Sequence, residues 1–165
     1  MIKEELAMRG RLRIKMFDQN GNLLGERQNN NKIVSSGREL VANLFKGNTA
    51  VSPVSYFGIG TDDAPTNDAD DNLKQEVEIY SADLRKGVTI SSVQSIPGTN
   101  QWKVNVHGVL TMAEANGVII KEVGLFNYED ITSNSPTHHM YNRVVFQEIE
   151  KTSLFELQLF WEIIF

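Results

Sequence analysis

From Phe155 to the last residue, every second position is apolar: Phe155, Leu157, Leu159, Trp161, Ile163 and Phe165. Glu156, Gln158, Phe160, Glu162 and Ile164 fill the places between. A period of two marks a strand with one face in a core. The other face mixes charge with Phe160 and Ile164, which are too apolar for a plain solvated surface. Cover by a loop or a helix is the plainer reading; a subunit interface is the sharper one. The same alternation governs Ala7 to Phe17, with Arg9, Arg11, Arg13 and Lys15 on one side and Gly10, Leu12, Ile14 and Met16 on the other. Asn20-Gly21 then predicts a hairpin, because both residues tolerate positive φ. Asn22 to Arg27 is the expected return strand, and Asn29 to Asn31 the loop that ends it.

One helix is predicted over Gly37 to Lys46. Ser36 and Glu39 have capping-box spacing, Leu40, Val41, Leu44 and Phe45 make an apolar stripe, and Gly47 is the stop. Further strands are expected over Val54 to Gly60, Gly87 to Ile96, Trp102 to Thr111, Val118 to Asn127 and Met140 to Gln147. Turns fall at Pro97 to Asn100 and Ala115 to Gly117. Thr61 to Asn72 and Tyr128 to His139 read as loops, and Leu73 to Tyr80 as either a short helix or an extended segment. Many short strands with turn signals and one short amphipathic α-helix predict a mainly β fold, an antiparallel β-sandwich of jelly-roll or Ig-like type. A length of 165 residues suits a single domain, with residues 1–6 as an extended N-terminal arm.

Composition narrows the chemistry. The net charge of −5 disfavours nucleic acid and anionic membrane as partners, and no apolar run is long enough to span a bilayer. The charged N-terminal residues do not read as a signal peptide. Cysteine is absent, which excludes disulfides, thiolate metal sites and a cysteine nucleophile. The aspartates at 62, 63, 68, 70 and 71 invite a calcium reading, but they lack the EF-hand order of ligands and its closing Glu, so a solvated acidic loop is expected. His107, His138 and His139 have no metal-ligand spacing within one chain; a metal would need them to converge on a symmetry axis. Gly58-Ile59-Gly60 lacks the rest of a dinucleotide fingerprint, and no hydrolase or P-loop motif is present. Asp70 and Asp71 read as surface carboxylates. Glu114, Glu122 and Glu148 lie beside apolar strand residues and read as strand-end or outward-facing. No enzyme activity, cofactor or metal is expected. Trp102 and Trp161 sit in apolar registers and read as core, which weakens a carbohydrate-binding alternative. The basic first strand could pair with the acidic loop of another copy.

The order of these segments resembles a group of small tailed-phage virion proteins, and in part the N-terminal module of phage tail-collar fibre proteins. The matching stretches are "NKIVSSGRELVANLF" from Asn31 to Phe45, a G-x-G-T…L-x-x-E pattern from Gly58 to Glu76, and E-x-G-L-F from Glu122 to Phe126; "MYNRVVFQEIEKT" and "LQLFWEIIF" follow. The resemblance covers Gly10 to Phe165. It implies a non-enzymatic structural subunit of the virion, made in the host cytoplasm and contacting other virion proteins. Tail fibre, baseplate, neck adaptor and capsid-decorating cement protein all fit it. Collar-fibre proteins continue into a shaft and tip, whereas this sequence stops at Phe165, so an adaptor or cement role is expected ahead of receptor binding. A homo-oligomer is expected, with a trimer favoured and Phe160, Ile164, Tyr128 and Arg11 as interface candidates. The remaining alternative is a carbohydrate-binding module for host attachment.

Overall fold

A computed structural model describes residues 8–129 and 135–165. The expected arm, residues 1–6, and residues 130–134 of the loop expected from Tyr128 to His139 lie outside the described residues. The chain is mainly β, with strands β1 (Arg9–Asp18) and β2 (Leu23–Ile33), helix α1 (Ser35–Phe45), and then β3 (Tyr56–Gly60), β4 (Glu76–Val77), β5 (Arg85–Gly87), β6 (Thr89–Ile90) and β7 (Gln94–Ser95). The long strands β8 (Trp102–Leu110), β9 (Ile119–Phe126), β10 (Met140–Glu150) and β11 (Phe155–Ile164) complete it.

All pairings among these strands are antiparallel, and the main path runs β4-β3-β9-β10-β2-β1-β11-β8-β6. Short β5 and β7 add to β3 and β8. Strand β2 belongs to both halves of this curled sheet. Its first part pairs with β1 up to Asn31, and Lys32 and Ile33 pair with Arg143 and Asn142 of β10. The curl brings Phe57 of β3 to Trp161 of β11, with ring centroids 6.1 Å apart. A Cβ on Gly108 of β8 would come within 2.8 Å of the Phe57 ring, so glycine is what lets the ring lie there. Leu12, Ile14, Leu157, Leu159 and Trp161 join Phe57, Ile59, Val123 and Leu125 in one core. Each such side chain contributes roughly 1.5–3 kcal/mol by leaving water.

Several expectations change. Asn29 to Asn31 is strand, because β1 supplies paired backbone as far as Gly10 opposite Asn31. The expected strand Gly87 to Ile96 is broken into the end of β5, which pairs with β3, and β6 and β7, which pair with β8. The ambiguous segment from Leu73 holds a two-residue strand, β4, at Glu76–Val77. Trp102 is half-exposed at the end of β8 rather than core. The helix starts earlier than the capping box predicted: Val34 takes the N-cap position with no side-chain cap. The Ser35 N–H donates to the Asp68 carbonyl, and the Ser36 hydroxyl lies 3.3 Å from His139 Nδ1. Gly47 does end the helix, with φ +75°.

Candidate functional site

The glycines and carboxylates of the middle segments meet in one place. Gly58 pairs with Gly124, and Gly60 with Glu122, across β3 and β9. A Cβ on Gly60 would overlap the Glu122 carboxylate, and one on Gly58 would overlap that of Glu76. The missing side chains are the space that these carboxylates occupy. Glu122 Oε1 accepts the Gln75 N–H at 2.8 Å, and Oε2 accepts the Lys74 N–H at 3.2 Å. The same Oε2 lies 2.6 Å from Arg143 Nε, and both side chains are fully buried. The Arg143 guanidinium also reaches Asp70 at 3.2 Å, Asp62 at 3.3 Å and the Ala64 carbonyl at 3.0 Å.

The acidic stretch is therefore wrapped around an internal cation, not simply solvated. Asp70 is buried, against its expected place on the surface. Burial pushes its carboxyl up, but the Asn67 N–H, Lys74 and Arg143 outweigh this and hold it below the ordinary value. Asp63 pairs with Lys121 at 3.0 Å and Asp68 with Arg38 at 2.6 Å. With these charges paired inside the molecule, the loop has little left for the basic strand of another copy. Glu122 is likewise buried rather than outward-facing. Both of its oxygens are committed to donors. Glu114 also points inward, held by Lys86 Nζ at 2.6 Å and the Thr111 N–H at 2.7 Å.

A second cation is stacked instead of wrapped. Arg85 lies over the Phe126 ring with its guanidinium carbon 3.4 Å from the centroid, and Glu76 grips it in a fork at 2.8 and 3.0 Å. Tyr128 covers the same guanidinium at 4.3 Å, and its hydroxyl donates to Asn72 Oδ1 at 3.1 Å. Tyr128, an interface candidate, thus belongs to this internal cluster. Nothing in the local sequence marks Arg85 or Arg143: Arg85 lies between Leu84 and Lys86, and Arg143 between Asn142 and Val144.

The other interface candidates share the outer face of β1, β11 and β8. Arg11 stands opposite Glu162 and binds it at 2.6 Å, while Ile164 is opposite Arg9 on one side and Lys103 on the other. Phe160 stacks on His107 with centroids 4.5 Å apart, and Lys15 Nζ lies 5.8 Å from its centroid. His107 therefore faces outward, as the alternation requires. Arg11, Arg13, Lys15 and Phe160 line a shallow hollow of about 270 Å³. Its charge is partly balanced already, since Arg13 pairs with Glu26 at 3.0 Å.

Helix α1 packs against β10 through Gly37 and Leu40, and an apolar cleft opens along its side. Leu40, Val41, Leu44, Ile90, Val104 and Phe165 line a cleft of about 230 Å³ there. Phe45, one residue past Leu44, is 94% exposed. The sequence placed Phe45 on the core stripe; only three-dimensional packing shows that the helix turns it to water. Among the described residues, no group of three or more His, Asp or Glu is arranged to hold a metal ion, and no helix is long and apolar enough to cross a membrane. Comparison with protein-family models, curated proteins and solved structures finds no match.

Proposed function

We propose that this chain is a structural subunit of a tailed-phage virion, acting through contacts between copies and with other virion proteins. The observation that carries the assembly part is the apolar surface around the α1 cleft, with Phe45 almost wholly in water. A lone soluble domain rarely leaves a phenylalanine so exposed beside an apolar cleft, whereas a subunit covers both on assembly. The virion part rests on the resemblance of the segment order. The structure gives the resembling glycines and acids a common scaffold task, seating Arg143 and Arg85, which requires no catalysis. In this reading the curled sheet is a β-sandwich related to jelly-roll or Ig-like folds. The protein is made in the host cytoplasm and ends in the particle as an adaptor, fibre, baseplate or cement component.

Size-exclusion chromatography with light scattering, followed by mixing with particles that lack the protein, tests this. An oligomer that adds back to particles is expected. A monomer that ignores them would sink the proposal. The half-exposed Trp102 favours one other reading, a carbohydrate-binding module, since aromatic faces pack on sugars. Quenching of Trp102 fluorescence by glycans, with no binding to particles, would bring that reading forward.

A further inference from the structure

We infer that the α1 cleft is a homotypic interface in which a second copy of this chain seats its Phe45 in the cleft, and receives Phe45 of the first in return. The inference rests on the assembly reading above and specifies the surface that performs it.

The cleft itself points to a side chain as occupant. At about 230 Å³ it is smaller than the roughly 300–1,000 Å³ usual for small-molecule sites, and its walls are almost wholly apolar. A small ligand would find few donors or acceptors to orient it. An aromatic side chain needs none. Phe45 is that side chain, on the page and without cover. It lies one helical turn beyond Val41, which lines the cleft, so the two belong to one stripe of α1. Phe45 does not fill the cleft of its own chain, because it is 94% exposed.

A projecting aromatic beside its own receptive cleft is self-complementary under a two-fold axis. Rotation about a two-fold axis through the rim exchanges the two phenylalanines, as an isologous contact requires. The surface is large enough to matter. Around the cleft, Trp102 is 52% exposed, Ile90 44%, Phe165 41% and Leu44 38%. Aromatic side chains present about 150–250 Å² each, so with Phe45 the set offers on the order of 500 Å² of apolar surface per copy. A standard interface takes about 800 Å² per partner, and a polar rim supplies the remainder. On this inference the unit is a dimer in place of the trimer expected from the sequence.

The test compares the full-length chain with Phe45→Ser and, separately, Ile90→Glu by sedimentation velocity over a concentration series, and mixes each with particles lacking the protein. Phe and Ser have similar helix propensity, so Phe45→Ser should keep the far-UV circular dichroism and melting temperature of the parent monomer. The expected result is a parent dimer whose dissociation constant rises at least about tenfold in each variant. A dimer indifferent to Phe45→Ser, or an oligomer of another order, overturns the inference and leaves the assembly reading standing. A parent monomer that still adds to particles does the same. A parent monomer that ignores particles overturns both.

Discussion

The Arg143 guanidinium is fully buried, and the chain brings carboxylates and carbonyls to it from residues far apart in sequence. A buried ion pair contributes little over an apolar pair of the same shape, but breaking one partner is costly. Glu122→Ala leaves the guanidinium without its nearest counter-ion and two loop N–H groups without an acceptor. The expected loss is about 3–5 kcal/mol, a large share of the 5–15 kcal/mol typical of a whole domain. Urea unfolding followed by Trp161 fluorescence measures it. Asp68→Asn, at an exposed pair with Arg38, should move the urea midpoint hardly at all. The acid limb of stability follows from the same chemistry. Asp70 and Glu114 are both held below their ordinary values in the folded chain: burial pushes each up, and hydrogen bonds and cations outweigh it. Such groups stabilise the fold above their unfolded values, near pH 4, and that stability is lost as pH falls through the lower folded values. Asp70→Asn should therefore give a shallower decline in urea midpoint below about pH 4 than the parent.

At the scale of elements, the strands are where sequence pattern and structure agree best. Strand β11 alternates as written because β1 and β8 pair with it along nearly its whole length, so one face must enter the core. The helix is set by a contact that no local signal contains. A Cβ on Gly37 would overlap the Tyr141 carbonyl of β10, so glycine permits α1 to lie against the sheet. Gly37→Ala should gain up to about 1 kcal/mol of helix propensity. The clash is with backbone, which cannot rotate away, and overpacking of this kind costs typically about 1–3 kcal/mol. The clash should win, and a fall in melting temperature by circular dichroism is the expected outcome. The capping box fails for a related reason. Ser36 is carried into the helix toward His139, while the Asp68 carbonyl takes the N–H of Ser35.

For the whole molecule, the curl of one antiparallel sheet decides which surfaces are used up and which are left. It pairs Asp62 and Asp70 with Arg143, Asp63 with Lys121 and Asp68 with Arg38, and leaves the apolar cleft beside α1 open. The apolar surface left open is Phe45 and the cleft, while the basic strand already pairs Arg11 with Glu162 and Arg13 with Glu26. Phe160, Ile164 and Arg11 do lie together on an outer face, as period-two spacing in β1 and β11 required, and Tyr128 lies elsewhere because Arg85 holds it. The sequence by itself determined the β class, helix α1, the hairpin at Asn20-Gly21 and the inner rows of β1 and β11. Those features follow from side-chain periodicity and local φ preference, which act over a few residues. Only the tertiary structure decided that Glu122 and Asp70 are buried, that Trp102 and Phe45 face water, and that Asn29 to Asn31 form strand. Each of these depends on partners brought from distant parts of the chain, and one-dimensional spacing carries no record of what will be packed against it.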